Sequence, residues 1–201
     1  MRKLALLFYL IGHLFFTQAQ PVSQVEKQSF FHSSKFHSAC FVQFEGQFSA
    51  MLKQPSAIMG VNLNWLINHK IYIGGKYQVQ SLPLYVEKYV FSTDFSRIPL
   101  KHQSASLNIG YIFFDDKTFS LNPELSAGWS QIVYDVNFGK TIRKNYGLAI
   151  LGINGIWNAH KNVRVGAGVG GRMLLGSRID DLKAIQMSGL FGQLFLRVGT
   201  F

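Results

Sequence analysis

The sequence has little charge, a single cysteine and no long apolar run beyond its first sixteen residues. Asp, Glu, Lys and Arg make up 15% of the 201 residues, whereas soluble domains average roughly 25%. One cysteine, Cys40, cannot form an intrachain disulfide, so the fold is held together by other means. A transmembrane helix needs about 20 consecutive apolar residues, which the chain beyond residue 16 never provides. These scarcities exclude a disulfide scaffold and a helical membrane protein, and the 48% hydrophobic content excludes a disordered chain.

The first nineteen residues have the layout of an export signal. A basic start precedes an apolar stretch over 4–16, and small residues follow up to Ala19. We therefore expect residues 1–19 to be a signal peptide that is cleaved after Ala19. The loss of its two bases lowers the formal net charge from +10 to +8. An exported basic chain favours an anionic membrane surface over nucleic acid as its partner.

Apolar residues alternate with polar or small ones along most of the mature chain, a pattern typical of strands with two unlike faces. In 119–129 the odd positions are Phe119, Leu121, Pro123, Leu125, Ala127 and Trp129, and the even positions are polar or small. The pattern predicts eight strands, at about 40–50, 56–67, 71–81, 103–113, 119–131, 146–157, 162–174 and 188–201. Their lengths suit tilted membrane strands, which need about 9–11 residues.

Short and long connections alternate between these strands. Short turns follow the second, fourth and sixth strands, and longer loops are expected at about 82–102, 132–145 and 175–187. This order is that of an outer-membrane barrel with both chain ends in the periplasm, whose closure leaves no backbone edge unpaired in hydrocarbon. A secreted β-sandwich also fits alternating strands after an export signal, and alternation alone does not separate the two folds.

The loop order, aromatic residues near the strand ends and a terminal Phe201 favour the barrel. The aromatic residues are Trp65, Tyr72, Tyr111, Phe113, Phe119, Trp129, Tyr146 and Trp157. We therefore predict an all-β protein: a periplasmic segment at 20–39, then an eight-stranded antiparallel transmembrane β-barrel at 40–201 with up-and-down topology.

Several short segments resemble the small eight-stranded outer-membrane β-barrel proteins of Gram-negative bacteria, in order and over most of the mature chain. They are Glu45-Gly46, Ile67-Asn68-His69-Lys70 before Ile73-Gly74-Gly75, Ile109-Gly110-Tyr111, Gly128-Trp129, Arg164-Val165-Gly166-Ala167-Gly168-Val169 and Leu196-Arg197-Val198-Gly199-Thr200-Phe201. The resemblance implies outer-membrane lipid and lipopolysaccharide as surroundings, the barrel-assembly machinery as a partner during insertion, and a structural or surface-interaction role. A terminal Phe resembles the signal read by that machinery, but the alternation back from Phe201 meets Gly199 and Arg197.

An eight-stranded barrel is just wide enough for side chains to fill, so we expect a polar plug and no solute pore. The charged side chains that the alternation turns inward are Glu45, Lys76, Glu124, Arg164, Arg172 and Arg197. In a narrow lumen they must pair with one another and with amides, because an unpaired buried charge costs several kcal/mol or more. A proton or ion path through them is the functional alternative. The sequence has no metal or cofactor motif, so no cofactor is expected.

The outer rim carries two further hypotheses. Bases in the outer loops, among them Lys53, Lys101, Lys140, Arg143 and Lys144, are candidates for contact with lipopolysaccharide phosphates, and the loops for an extracellular protein or glycan ligand. His102 and Ser104 lie two apart at the rim, as in outer-membrane hydrolases that modify lipid A, and Asp135 would be the third group. A non-enzymatic barrel is the main prediction and the hydrolase the alternative.

Overall fold

A computed structural model describes residues 37–82, 84–91, 94–115, 118–136, 140–176 and 187–201. The predicted signal peptide at 1–19 and most of the predicted segment at 20–39 lie outside these ranges and stay predictions. No helix among the described residues is long and apolar enough to cross a membrane.

The described chain is nearly all β-structure. Its strands are β1 Ser38–Met51, β2 Gln54–Ile67, β3 Ile71–Gln80, β4 Leu84–Phe91, β5 Asp94–Tyr111, β6 Phe119–Val136, β7 Lys140–His160, β8 Val163–Leu175 and β9 Gly189–Gly199. All neighbours in the single sheet are antiparallel, in the order β3-β2-β1-β9-β8-β7-β6-β5-β4, and β3 also pairs with β5. That last pairing closes the strands from β3 round to β5 into a ring, whereas β4, at the end of the sheet order, pairs with β5.

β3 and β4 occupy one position in this ring. β3 pairs with β5 up to Val79 opposite Gln103, and β4 continues along the same edge of β5 from Leu84 opposite Leu100. β3 ends at Gln80, and the backbone N–H groups of Ser81 and Leu82 donate to the carbonyl of Ala57 before β4 begins. The barrel thus has eight ring positions, and the predicted eight-stranded antiparallel meander is confirmed.

The two ends of the barrel differ. One end, here the turn end, holds both described chain ends and the connections at 68–70, 112–118 and 161–162. The opposite end, here the hairpin end, holds the two-residue turn at 52–53 and the connections at 92–93, 137–139 and 176–188. Leu52 and Lys53 both have positive φ, as the central residues of a type I′ hairpin require.

The predicted loops at 82–102 and 132–145 are wrong over most of their length. β4 and β5 together cover 84–91 and 94–111, while β6 extends to Val136 and β7 begins at Lys140. The wall formed by these four strands therefore continues past the ends of β1, β2, β8 and β9. The predicted loop at 175–187 lies mostly outside the described residues.

Side chains along most of the barrel alternate between a polar interior and an apolar exterior. The exterior forms a belt of exposed large apolar residues that includes Leu63, Trp65, Leu107, Ile109, Leu121, Leu125, Trp129, Leu151, Ile153, Val169, Leu194 and Leu196. On β6 the belt runs ten residue steps, from Phe119 to Trp129. Ten steps span about 34 Å along a strand, or about 26 Å along the axis of a barrel whose strands tilt by about 40°.

Two apolar clusters close the interior at its ends. At the hairpin end Met51, Ile58, Leu84, Leu100, Ile132, Tyr134, Tyr146, Leu148, Ile150, Leu174, Met187 and Phe191 pack together. At the turn end Phe41, Leu66, Tyr72 and Ile112 pack with Ala39 and Phe201. Two of the eight aromatic residues near strand ends, Tyr72 and Tyr146, thus lie inside the barrel, and the terminal Phe201 packs against the turn-end cluster. The outward series of the last strand is Leu190, Leu194, Leu196 and Val198.

Candidate functional site

The lumen between the two clusters contains a network centred on two buried carboxylates. Glu45, on β1, accepts hydrogen bonds from the amide groups of Gln43 at 2.8 Å, Asn62 at 3.0 Å and Gln78 at 2.7 Å. A fourth amide, that of Gln47, donates at 3.3 Å. Three neighbouring strands thus supply the donors that replace the water lost by this carboxylate on burial.

Lys76 lies between the two carboxylates. Its Nζ is 2.5 Å from Oε1 of Glu124 and 3.5 Å from Oε2 of Glu45. The hydroxyl of Tyr72 donates a further hydrogen bond to Glu124 at 2.7 Å. Since one ammonium compensates two carboxylates that lie on β1 and β6, it ties distant parts of the wall together across the lumen.

Arg197, on the last strand, is fully buried in the same network. Its Nε donates to the amide oxygen of Gln43 at 2.6 Å, and one terminal nitrogen donates to that of Asn122 at 2.6 Å. The guanidinium lies 4.9–5.2 Å from the ring centroids of Phe41, Tyr72 and Phe195, within the range of cation–π attraction.

The other two predicted lumen bases lie towards the barrel ends. Arg172 donates to the amide oxygen of Gln47, and its guanidinium is 5.7 Å from the ring of Phe191. Arg164 forms a 2.7 Å ion pair with Asp115 and stacks 4.0 Å over the ring of Phe201. Sequence reasoning did not find Asp115, although two adjacent acids in the short turn after β5 were the available signal.

Side chains of the network fill the lumen. Its charged members are two acids, Glu45 and Glu124, and three bases, Lys76, Arg172 and Arg197, with Arg164 and Asp115 as a separate pair. Amide pairs such as Asn64 with Asn108, 2.7 Å apart, occupy the space between them. Glycines on the inner face make room for rings, since a Cβ at Gly166 would overlap the ring of Phe195. The arrangement cross-links the wall from inside.

The rim histidine and serine do not form a pair with each other. Nε2 of His102 lies 2.7 Å from the hydroxyl of Ser130, whereas Ser104 donates to the amide oxygen of Gln78 at 3.3 Å. All three of His102, Ser104 and Ser130 are buried. The side chain of Asp135 lies outside the described part of the structure. Over the described ranges, no group of three or more His, Cys, Asp or Glu side chains could hold a metal ion.

Three histidines, His37, His69 and His160, lie at the turn end, beyond the belt. His69, exposed in the turn after β2, lies beside His37, with ring centroids 5.5 Å apart and the two rings tilted by 40°. Burial lowers the pKa of His69 below its ordinary value, and the nearby Asp115 offsets part of that effect.

The predicted rim bases fall on several surfaces. Lys101 and Arg143 are exposed on the outward face of β5 and β7, in the register row that contains Val133 of β6. Lys144 is exposed and follows Arg143 along β7, while Lys53 is exposed in the turn between β1 and β2. Lys140 begins β7, and its side chain lies outside the described part of the structure.

A row of hydrogen-bonded side chains separates Lys101 and Arg143 from the belt. Gln103 donates to Gln131 at 2.8 Å, and Gln131 donates to Asn145 at 3.1 Å. The hydroxyl of Tyr77 extends this amide row by donating to Gln103 at 3.2 Å. The belt therefore ends in amides on these strands, and the charged residues begin beyond them.

The fold and the lumen together define a closed eight-stranded antiparallel barrel with a polar filling and an apolar exterior. Its fold is similar to the crystal structure of Neisserial surface protein A (NspA), with a TM-score of 0.56 and 12% identity over 82% of this chain and 96% of that one. It is also similar to a major outer membrane protein from Thermus thermophilus, with a TM-score of 0.54 and 10% identity over 81% and 99% of the two chains. No family model and no curated protein matches the sequence.

Proposed function

We propose that the chain is a non-enzymatic integral protein of a Gram-negative outer membrane, with both ends of the barrel domain in the periplasm. The observation that carries this proposal is the sidedness of the wall, which exposes Leu107, Leu125 and Val169 while it buries Glu45, Lys76 and Arg197. A soluble protein would have the opposite arrangement, because soluble monomers rarely expose apolar patches above a few hundred Å². An apolar exterior is stable in hydrocarbon when the backbone groups are hydrogen-bonded between strands, as they are in a closed ring.

The dimensions agree with this location. The belt height of about 26 Å on β6 is close to the apolar band of outer-membrane barrels, about 25 Å. Trp65, Trp129 and Trp157 are all exposed, and Trp129 stands next to the amide row. Tryptophan favours the layer between hydrocarbon and water, because its ring is apolar and its N–H needs a polar partner.

The role that we assign is structural or surface-interacting. The charged side chains of the lumen network bond to one another and to amides, and the clusters at both ends are apolar, so the barrel interior is suited to stabilising the wall. The extended part of the wall, by contrast, presents its outer surface to the medium. Outer-membrane lipid and lipopolysaccharide, the barrel-assembly machinery during insertion, and an extracellular protein or glycan are the partners that this role implies.

Membrane fractionation with gel migration before and after boiling tests the location. A folded outer-membrane barrel is expected in the membrane fraction and migrates differently once boiling unfolds it. A mature chain that stays folded and dissolved without detergent would contradict the proposal.

The mass of extracted lipid A tests the non-enzymatic role. Deletion of the gene is expected to leave the lipid A profile of the source bacterium unchanged. A mass change that the wild-type gene restores and a Ser104→Ala gene does not would favour the hydrolase that was the alternative.

A further inference from the structure

The outward face of β5, β6 and β7 changes its chemistry in a fixed order along the strands. Because the three strands are in register, the face can be followed row by row. From the belt towards the hairpin end the rows are Leu107, Ala127 and Ala149, then Ala105, Trp129 and Gly147, then Gln103, Gln131 and Asn145, then Lys101, Val133 and Arg143.

This order follows the layers of a membrane leaflet: hydrocarbon, aromatic interface, hydrogen-bonding headgroups and anionic groups. Each row lies about 7 Å beyond the previous one along the strands, or about 5 Å along the membrane normal when strands tilt by about 40°. Lys101 and Arg143 therefore begin about 10 Å beyond Trp129. Their long side chains can reach back into the headgroup layer while the charged ends stay hydrated.

We infer that Lys101 and Arg143 form a binding site for the phosphate groups of a glycolipid in the outer leaflet. The inference rests on the membrane location proposed above. The two bases are two strands apart, which places their Cα atoms about 9–10 Å from each other. The compact Val133 lies between them, so a phosphate group can sit over it with one base on each side. Arg143 can bind phosphate oxygens in a bidentate manner, and Lys101 contributes a point charge.

The rows from the belt to the proposed site contain two bases and no acid. In the next row Asp135 pairs with Thr141, and the side chain of Asp135 lies outside the described part of the structure. The amide row next to the bases adds exposed hydrogen-bond donors and acceptors, in Gln103, Gln131 and Asn145. A sugar headgroup that carries phosphate would contact both rows at once.

Two other exposed bases provide a control with the same charge change. Lys53 lies in the turn between β1 and β2, on another part of the rim. Lys144 follows Arg143 on β7, on the opposite face of the strand by alternation. Lys53→Gln/Lys144→Gln thus removes two positive charges from the hairpin end and leaves the proposed site intact.

The experiment is a titration of the full-length folded barrel in detergent with diphosphorylated lipid A, followed by native mass spectrometry. Wild type and control are expected to bind equally within about twofold, whereas Lys101→Gln/Arg143→Gln is expected to bind about 25-fold more weakly. Phosphatase-treated lipid A should bind wild type as weakly as the double variant binds the intact lipid. Inorganic phosphate at millimolar concentration should not compete, which separates a lipid headgroup from free phosphate.

Equal binding by all three proteins, or an equal loss in the control and the test variant, would overturn the inference. Gel migration before and after boiling confirms that each variant is folded. A wild-type chain absent from the membrane fraction would instead refute the proposed location, so the two failures are distinguishable.

Discussion

The same strands are built in opposite ways in two parts of the wall. Within the belt the inner face of β5 is polar, with Ser104 and Asn108, and the outer face is apolar, with Leu107 and Ile109. Beyond the amide row the inner face carries Leu100 and the outer face Lys101. The backbone pairing runs through both parts, so what changes is the solvent outside. The belt matches hydrocarbon, and the extended wall matches water.

The residue types on the two faces change, but the inward and outward alternation of side chains along the strand does not. On β6 the buried even positions are polar at Asn122, Glu124, Ser126 and Ser130, and apolar or aromatic at Ile132 and Tyr134. Strand alternation thus fixes which side chains share a face, whereas the identity of the apolar face depends on what surrounds the barrel.

The largest loss of stability is expected when the cation inside the lumen, at the level of the belt, is removed. Lys76→Met leaves Glu45 and Glu124 buried without their shared counter-charge, and we expect the free energy of unfolding to fall by about 3–5 kcal/mol. Urea unfolding in lipid vesicles, followed by tryptophan emission, measures it. Lys144→Met, at an exposed position of the extended wall, should change stability by less than about 0.5 kcal/mol; a similar loss in both variants would remove the contrast.

The extended wall should respond instead to a loss of apolar volume inside. Ile132 is buried in the hairpin-end cluster, so Ile132→Ala is expected to cost about 2–5 kcal/mol. The adjacent Val133→Ala, on the outer face, should cost less than about 1 kcal/mol because it leaves no comparable cavity. The same unfolding assay compares them, and a costlier Val133→Ala would show that the faces are assigned the wrong way round.

A charge on the outer face distinguishes the two parts directly. Leu125 is exposed near the middle of the belt on β6, and Leu125→Arg should destabilise the barrel in vesicles by about 2–4 kcal/mol. Thr141→Arg, on the exposed face of the extended wall, should be nearly neutral. If Leu125→Arg proved neutral in vesicles, the belt would not lie in hydrocarbon.

Substitutions in the amide row, which separates the belt from the extended wall, should cost less stability than the substitutions above in either part. Gln131→Ala removes the central member of the amide row, which bonds to Gln103 and Asn145. Because these hydrogen bonds are exposed, we expect a loss of about 0.5–1 kcal/mol in the unfolding assay. Gln80→Ala removes a partly buried amide outside the row, which donates to the carbonyl of Leu82, and a larger loss there would argue against a specific role for the row.

The smallest effect is expected at the turn end, which neither part of the wall includes. The pKa of His69 is lowered in the folded state, so protonation favours unfolding. Its contribution is present above the ordinary pKa of about 6.5 and is lost as the pH falls through the folded value. The urea midpoint of wild type should therefore drop slightly more than that of His69→Gln between pH 7.5 and pH 5. Identical drops would show that His69 does not contribute.

Alternation in the sequence predicted the strands, and the order of short and long connections favoured a closed eight-stranded antiparallel barrel over a β-sandwich. Alternation failed at 82–102 and 132–145, where the described side chains exchange the two faces: Leu100 and Ile132 are buried inside, and Lys101 is exposed outside. This exchange breaks the pattern that identified the membrane strands. The position of Tyr72 and Tyr146 near strand ends was also ambiguous, since an aromatic residue there fits both an outer girdle and an inner cluster. The pairing of Arg164 with Asp115 depends on a tertiary contact across the turn end, which no local pattern encodes.

The central claim, that the belt faces lipid, is tested most directly by the emission of the three native tryptophans. Trp65, Trp129 and Trp157 are the only tryptophans in the chain, and all are exposed on the outside of the barrel. The barrel would be folded into vesicles of phosphatidylcholine with or without bromine on the acyl chains. We predict that the brominated lipid strongly quenches the tryptophan emission and that aqueous acrylamide quenches it little. Emission that the brominated lipid leaves unchanged and acrylamide quenches would contradict it.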